Sequence, residues 1–373
     1  MFGPRGCGKT TWLKYSFPDE HSLYLDLLQP DLYDQFLLDP NRFLKLINQP
    51  ENFKKRVILD EIQRLPQFLN LIHSEIQKTK RQFIMTGSSS RKLKQSGVNL
   101  LAGRAWIYDL FPFSTSELGS KFDLGKALTL GGLPEAYEAL DAFSAREYLN
   151  TYVGTYLEKE IQQEQCVRNL EPFRKFLSIA AQMNGKIVNK SKIAKEIGLR
   201  DTTVSNYFGI LEDTLIGFYL PAYHSSVRKA QRLSPKFYFI DPGMKRALDR
   251  TLSVELLPQT FAWGDAFEHW VILEFKKNIS YQRLDWQMSY LRTKDDVEID
   301  LIIDRPGKKK LLFEIKSKEK VREEDAKTLE TLGKDLDQKA ERFLLSNDPL
   351  EHKFGSTRAM HWQKALQELF TTD

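Results

Sequence analysis

The first 120 residues contain short aliphatic runs separated by longer polar stretches, a pattern typical of an α/β fold. The runs predict strands at 23–27, 57–59 and 82–85, and a further strand within AWIYDLFPFSTSEL (105–118). The run 57–59 is aliphatic throughout and stands directly before Asp60 and Glu61. It therefore predicts a buried parallel strand that ends in two carboxylates.

The middle of the chain changes to helical spacing. Residues 128–165 predict helices, with LGGLPEAY as a turn. Further on, apolar positions recur at helical intervals on both sides of Gly198, which predicts a helix-turn-helix with FYLPAY and KFYFID as wing strands. These apolar positions are Ile193, Ala194, Ile197, Val204, Phe208 and Leu211.

The second helix of this module decides whether DNA binding is expected. A helix that reads DNA usually offers Arg, Lys, Asn or Gln to base edges. This helix offers Thr202, Thr203, Ser205 and Asn206, with acids at both ends, although basic residues cluster nearby at 228, 229 and 232. Contact with DNA and a role in protein docking both stay open.

The last third of the chain contains DDVEIDLIIDRPGKKKLLFEIKSKEK, which predicts a hairpin. Because side chains alternate along strands, Asp300, Glu314 and Lys316 are expected to meet at one end of the sheet. Two carboxylates can hold Mg²⁺, and a lysine can lower the pKa of a nearby water. A helix predicted in WGDAFEHWVILEF adds Glu268 upstream. The alternative interpretation is a half-exposed strand with a surface ion pair.

The amino terminus carries the most specific motif. Residues 3–10, GPRGCGKT, match the phosphate-binding loop G-x-x-x-x-G-K-[ST], in which glycines allow backbone N–H groups to approach phosphates. The helix that follows directs its positive dipole end at the same phosphates. The predicted nucleotide-binding residues are Gly3, Pro4, Arg5, Gly6, Cys7, Gly8, Lys9, Thr10 and Thr11.

The loop and the two carboxylates together predict ATP hydrolysis. Thr10 and Asp60 are expected to hold Mg²⁺, and Lys9 to reach the β- and γ-phosphates. Glu61 is expected to orient and deprotonate the attacking water. Thr86, Ser88 and Ser89 follow the strand at 82–85, where open α/β sheets bind ligands, and Ser88 is the predicted γ-phosphate sensor. Arg104 and Arg91 are candidates for stabilising transition-state charge, with a solvated surface arginine as the alternative for each.

The loop lacks the apolar strand that normally precedes it, since only Met1 and Phe2 come before Gly3. Loss of a central strand would leave backbone groups of its neighbours unpaired and an apolar slot open. We therefore expect the native start to lie about one strand upstream, roughly 5–20 residues.

Composition adds only broad limits. The 373 residues are 41% hydrophobic and 28% charged, with a net charge of +5, which permits an anionic partner without requiring one. No apolar run reaches membrane-spanning length, and no signal peptide is recognisable. Two cysteines cannot form a disulfide framework, which suits a reducing cytoplasm.

These motifs, in their order along the chain, resemble a large prokaryotic family of AAA+-type ATPases with an uncharacterised C-terminal region. The resemblance rests on GPRGCGKT, VILDEIQRLP, the TGSSS turn, LAGRAWIYDLFPFSTSEL, GGLPEAY, WGDAFEHWV and DVEIDLIID…LLFEIK. It implies an ATPase core over 1–120, a helical lid over 121–165, a winged-helix domain over 166–250 and a further α/β domain over 251–373. Glu268 followed by D…E-x-K resembles the restriction-endonuclease-type nuclease core.

The sequence therefore predicts a cytoplasmic, Mg²⁺-dependent ATPase that switches or drives an action on nucleic acid or on a partner. Two alternatives stay open: an ATP-regulated, metal-dependent nuclease, and a nucleotide-dependent binding protein with an inactive nuclease fold. ATP is the expected ligand, and no membrane partner is expected. DNA or another nucleic acid, a protein partner and a homo-oligomer are open alternatives.

Overall fold

The computed structural model describes residues 1–89, 105–156, 170–226 and 233–370. The chain divides into two compact units. Residues 1–112 with the short segment 210–216 form the first unit, and residues 113–209 with 217–373 form the second. None of the helices in these described ranges is both long and apolar enough to cross a lipid bilayer.

The first unit is built on a parallel sheet of three strands in the order β1-β2-β3. The strands are β1 Ser22–Asp26, β2 Arg56–Asp60 and β3 Phe83–Met85. The central strand β2 pairs with both neighbours, and Val57, Ile58 and Leu59 are fully buried. The strands predicted at 23–27, 57–59 and 82–85 are confirmed, as is the parallel direction of the second.

Helices connect and cover these strands. They are α1 Lys9–Ser16, α2 Pro30–Leu38, α3 Pro40–Ile47 and α4 Phe68–Thr79, with a 3₁₀ turn at Ile62–Arg64. The rings of Phe36, Phe43 and Phe68 lie 4.9–5.7 Å apart and form the centre of the core on one face of the sheet. This core fixes β2, whose carboxyl end bears Asp60 and leads directly into Glu61.

The strand predicted within 105–118 is wrong in extent, because the structure shows only an isolated bridge at Asp109. Its partner is Phe2, which also bridges Gly87 on its other side, in parallel in both cases. The backbone N–H of Phe2 donates to Tyr108 O (2.8 Å), and its carbonyl accepts from Leu110 N (2.7 Å). A single residue can pair with only a short stretch of each neighbour, which explains why no longer strand forms.

An apolar groove of about 430 Å³ continues from this bridge between residues 82–85 and 105–108. Trp12, Phe17, Leu69 and Ile76 are among its lining residues. Trp106 is 72% exposed there. Met1 and Phe2 also line this groove.

The remaining helices follow along the chain. They are α5 Thr115–Leu118, α6 Leu124–Leu130, α7 Pro134–Tyr137, α8 Ala142–Thr151, α9 Leu170–Gln182, α10 Lys190–Ile197, α11 Asp201–Asp213, α12 Pro242–Leu248, α13 Phe261–Tyr281, α14 Glu323–Leu336 and α15 Trp362–Phe370. A 3₁₀ turn lies at Gly119–Lys121 and a π-helical turn at Tyr152–Tyr156. The helices predicted around Gly198 are present as α10 and α11, and Gly198 has the left-handed φ of 70° that ends α10.

The second unit contains two sheets. The strands β4 Gly217–Leu220 and β5 Lys236–Phe239 form an antiparallel pair at the predicted wing positions. A six-stranded sheet has the order β10-β11-β9-β8-β7-β6. Its strands are β6 Gln287–Arg292, β7 Glu298–Asp304, β8 Leu311–Ile315, β9 Glu341–Ser346, β10 His352–Phe354 and β11 Thr357–His361. The predicted hairpin is confirmed as β7 and β8, which pair antiparallel.

Buried polar contacts hold residues 113–137 within the second unit. Glu274 accepts a hydrogen bond from Thr115 N (2.9 Å), and the ammonium of Lys277 donates to Phe113 O (2.8 Å). Asp241 accepts from the N–H groups of Gly132 (2.6 Å) and Leu133 (3.1 Å). The motifs FPFSTSEL and GGLPEAY are thus tied to α13 and to the start of α12.

Candidate functional sites

The phosphate-binding loop, residues 3–8, has the backbone conformation that its glycines allow. Gly6 and Gly8 have left-handed φ values of 73° and 92°. A Cβ on Gly3 would lie 2.3 Å from Leu110 O, so no other residue fits there without movement. The helix α1 begins at Lys9, and its first N–H groups face the concave side of such a loop. This arrangement is suited to an anionic phosphate.

Lys9 is buried, and its ammonium contacts the loop itself. It donates to Gly3 O (2.8 Å) and to Pro4 O (2.9 Å). Carbonyl oxygens are weaker partners for an ammonium than phosphate oxygens. The side chain can therefore exchange these carbonyls for a phosphate, and in this structure the contacts close the loop on itself.

Asp60 accepts hydrogen bonds from three hydroxyl groups on three different elements. Thr10 Oγ1, at the start of α1, donates to Asp60 Oδ2 over 2.7 Å. Tyr24 OH, from β1, donates to the same oxygen, and Thr86 Oγ1 donates to Oδ1. Burial, followed by the contact with Asp60, raises the pKa of Tyr24. The hydroxyl of Thr10 and the carboxylate of Asp60 are the oxygen ligands that Mg²⁺ prefers, so the donor set fits this ion.

Glu61 follows Asp60 with a left-handed φ of 62°, which turns the chain sharply at the end of β2. Its Oε2 accepts hydrogen bonds from Ser88 Oγ (3.0 Å) and from Gln63 Nε2. Its backbone N–H donates to Thr86 Oγ1 over 3.3 Å. The carboxylate predicted to act on water and the hydroxyl predicted to sense phosphate are therefore in direct contact.

The remaining predicted loop residues differ in exposure. Pro4 and Cys7 are buried, and burial raises the pKa of the Cys7 thiol. Thr11 is exposed, and Arg5 is half-buried. Arg91 and Arg104, the candidates for stabilising transition-state charge, lie outside the described residues.

A second group of charged residues lies on the β7–β8 hairpin. Asp300 Oδ2 accepts from Ile315 N (2.7 Å), and the Lys316 ammonium contacts Glu314 Oε1 over 2.5 Å. Glu314 Oε2 is buried without a hydrogen-bond partner. Burial and then the Glu314 carboxylate raise the pKa of Asp300, and burial also raises that of Glu314. The three residues predicted to meet at this end of the sheet do so.

Glu268, on α13, lies beside this group but has other partners. Its Oε1 accepts from Tyr238 OH (2.7 Å) and contacts the ammonium of Lys236 over 3.3 Å. Lys236 also pairs with Glu298, and these carboxylates outweigh burial and raise the pKa of the lysine. The sequence did not identify Lys236 or Tyr238 as part of this group, because both come from β5.

The fit of a metal ion differs between the two sites. Among the described residues, no cluster of three or more His, Cys, Asp or Glu side chains is arranged to hold a metal. A site that uses one hydroxyl, one carboxylate and substrate phosphates, as at Thr10 and Asp60, needs no such cluster. In the hairpin group, Asp300 and Glu314 could share a divalent ion, whereas Glu268 is already bound to a lysine and a tyrosine.

Comparison with known proteins finds a domain match in the amino-terminal part of the chain. Residues 1–119 match the AAA domain. This match supports nucleotide-dependent ATPase activity at a coarse level. Residues 121–255 and 263–364 match two domains of unknown function, DUF8612 and DUF4143.

Two curated relatives cover most of the chain. They are uncharacterized proteins of Mycobacterium tuberculosis and Mycobacterium bovis. Each is 25% identical over 313 residues, which is 83% of this chain and 68% of the relative. The similarity to these relatives therefore extends beyond the residues that match the AAA domain.

Proposed function

We propose that this protein is a cytoplasmic, Mg²⁺-dependent ATPase in which Lys9, Thr10, Asp60 and Glu61 perform ATP binding and hydrolysis. The observation that supports this most strongly is the hydrogen bond from Thr10 to Asp60. It brings the end of the phosphate-binding loop to the carboxyl end of β2, one residue before Glu61. Open α/β sheets bind ligands at this edge.

In this proposal, each of these residues has a separate role around the phosphates. Loop N–H groups and the Lys9 ammonium would bind the phosphate oxygens, and Thr10 and Asp60 would hold Mg²⁺. Bound Mg²⁺ would neutralise the negative charge that develops on the phosphates. Glu61 accepts a proton from the attacking water, while Ser88 donates a hydrogen bond to the terminal phosphate.

The test of nucleotide binding uses a fluorescent ATP analogue with Mg²⁺ and the full chain. Lys9→Ala should abolish binding, because it removes the buried ammonium that serves the phosphates. Lys45→Ala is the matched control, since Lys45 is an exposed lysine on α3. Absence of binding by the parent protein, or equal binding by parent and Lys9→Ala, would contradict the proposal.

We also propose that ATP hydrolysis switches or drives the C-terminal region. In this proposal, residues 121–165 form a lid, residues 166–250 a winged-helix domain and residues 251–373 a nuclease-like domain. The helices α10 and α11 and the strands β4 and β5 supply the elements that a winged helix needs. An ATPase assay with and without DNA and RNA tests the coupling, and stimulation by either nucleic acid is the supporting result.

A second candidate function is metal-dependent cleavage of nucleic acid. It is favoured by the hairpin group, in which two buried carboxylates and Lys316 lie together and Glu314 Oε2 lacks a partner. Asp300 and Glu314 would hold the ion, which would activate water for attack on a phosphodiester. Lys316 would stabilise the charge that develops.

The cleavage test incubates parent protein and variants with plasmid DNA and with RNA in Mg²⁺ or Mn²⁺. Products should vanish in Asp300→Asn and Lys316→Ala and persist in Asp295→Asn and Lys318→Ala, whose residues are exposed or half-buried on the same segment. Unchanged cutting in all variants would indicate contamination. Retention of nucleic acid without products would favour a binding protein with an inactive nuclease fold.

A further inference from the structure

Gln63 connects the two residues that the ATPase proposal places next to the terminal phosphate. Its side-chain amide nitrogen donates to Glu61 Oε2 and also to Ser88 Oγ, the latter over 3.0 Å. Ser88 Oγ in turn donates to Glu61 Oε2 over 3.0 Å. All three side chains are buried, with Ser88 1% and Gln63 3% exposed. They form a closed triangle of hydrogen bonds.

The hydrogen-bonding capacity of each group explains the direction of these contacts. A primary amide has two N–H donors, which match the two acceptors Glu61 Oε2 and Ser88 Oγ. Rotation of the amide by 180° would place its oxygen against the Glu61 carboxylate, and two acceptors would then face each other. The observed orientation is therefore the one that the carboxylate favours.

The amide orientation leaves one group unsatisfied. Gln63 Oε1 is buried without a hydrogen-bond partner. A buried acceptor without a donor lowers the stability of the fold. The absence of a side chain at Gly87 leaves room for the amide, because a Cβ there would lie 2.7 Å from Gln63 Oε1. The contact with Glu61 is thus maintained at the expense of another hydrogen bond, which is unusual for a residue with a purely structural role.

Gln63 is held rigidly by the backbone around it. It lies in the 3₁₀ turn Ile62–Arg64, and Ile62 N donates to Thr86 O over 2.9 Å. The same turn follows the left-handed Glu61. The side chain of Gln63 therefore approaches Glu61 and Ser88 from a fixed position, so a movement of either one changes its contacts with the other.

We propose that Gln63 is a positioning residue that keeps the Glu61 carboxylate aligned with Ser88 and transmits to it whether Ser88 is bound to a phosphate. This inference rests on the proposed ATPase function. Ser88 has a single hydroxyl proton, which it donates either to Glu61 or to a phosphate oxygen. When the proton turns to the phosphate, Glu61 Oε2 loses one of its two donors and becomes available to a water. Gln63 keeps Ser88 and Glu61 aligned during this exchange.

The first arm of the test uses nucleotide-free protein. Its result does not depend on whether the chain hydrolyses ATP. Gln63→Leu, Glu61→Gln and the double variant are compared by thermal unfolding, with Gln67→Leu as a control on the exposed neighbouring turn. If Gln63 and Glu61 interact as observed, the double variant should lose less in unfolding midpoint than the sum of the single losses. Additive losses would overturn the contact.

The second arm measures kcat and the affinity for Mg²⁺-ATP separately. Gln63→Leu should lower kcat about 10- to 100-fold while ATP affinity changes less than about three-fold. Combination with Ser88→Ala should add little further loss, because both act on the same carboxylate. An unchanged kcat, or a loss of ATP affinity as large as in Lys9→Ala, would overturn the positioning role. A parent protein that neither binds nor hydrolyses ATP would instead overturn the ATPase proposal, and with it the transmission step.

Discussion

The hydroxyl of Thr10 donates a 2.7 Å hydrogen bond to Asp60 Oδ2 and thereby joins the first turn of α1 to the end of β2. The two residues are 50 positions apart in the sequence. Their contact places an oxygen from α1 and an oxygen from β2 side by side. Thr10 and Asp60 would hold a metal ion here through these two oxygens, and the Thr10 hydroxyl would turn its proton away from Asp60.

Substitution of Thr10 should therefore reduce the Mg²⁺ dependence of nucleotide binding. Thr10→Ala removes one oxygen ligand, and we expect ATP affinity in Mg²⁺ to fall about 10- to 100-fold, or about 1.4–2.8 kcal/mol. Binding without Mg²⁺ should change little. Thr331→Ala is the matched control, because Thr331 is an exposed threonine on α14, outside the phosphate-binding loop. Equal losses in both variants would show that the hydroxyl of Thr10 has no special role.

The hydroxyls around Asp60 should also contribute to stability. Tyr24→Phe removes one donor and should lower the free energy of unfolding by about 0.5–1.5 kcal/mol. Asp60→Ala leaves the hydroxyls of Thr10, Tyr24 and Thr86 without their shared acceptor, so we expect a larger loss of about 2–4 kcal/mol. Denaturant unfolding measures both. A larger loss for Tyr24→Phe than for Asp60→Ala would contradict the arrangement.

Local spacing explains which parts of this site the sequence could predict. The loop and the pair Asp60–Glu61 follow fixed patterns within a few residues, so their positions could be predicted. Tyr24 and Gln63 could not be predicted as members of the site. The contact of Tyr24 depends on the register between β1 and β2, and that of Gln63 on the left-handed turn at Glu61. Neither has a signature in the residues themselves.

The C-terminal group shows the same limit. Asp300, Glu314 and Lys316 could be predicted to meet because a hairpin and strand alternation determine their positions. Lys236 binds Glu268 and Glu298 from a separate sheet, so only tertiary packing reveals that one carboxylate is already neutralised. The short bridge at Asp109 likewise depends on its pairing with the single residue Phe2. Strand propensity does not encode the length of the neighbouring segment that is available for pairing.

The apolar groove beside Phe2 leads to a test of sheet completion. An added segment of about five residues rich in Val, Ile and Leu ahead of Met1 should enter the groove and raise the unfolding midpoint by several degrees. Burial lowers the pKa of the Met1 amino group to about 6, and the extension would replace this amino group with a neutral amide. A Gly/Ser extension of equal length is the control. Equal midpoints for both extensions would show that the groove accepts no strand.

The pH dependence of stability should include a measurable contribution from Glu330. Desolvation opposes its ionised form, but contacts with Lys334, Thr357 and Ser356 outweigh this and lower its pKa from 4.5 to about 2. Because the folded pKa is depressed, the contribution is present above about pH 4.5 and is lost as the pH falls through 2.

Comparison with Glu330→Gln isolates this effect. The parent should be more stable by about 1–2 kcal/mol at pH 7, after allowance for solvent screening, and the two proteins should converge below about pH 2. Urea unfolding at several pH values measures the difference. A difference that stays constant from pH 7 to pH 3 would show that ionisation of Glu330 does not contribute.

The most direct test of the central claim is ATP turnover by the full chain and by Glu61→Gln in Mg²⁺, with bound nucleotide measured in parallel. We expect the parent to hydrolyse ATP and the variant to retain bound ATP while turnover falls at least about 100-fold, because it lacks the carboxylate that accepts the proton from water. Turnover by Glu61→Gln at the parent rate, or no turnover by a parent protein that binds ATP, would contradict the assignment of this site as an ATPase.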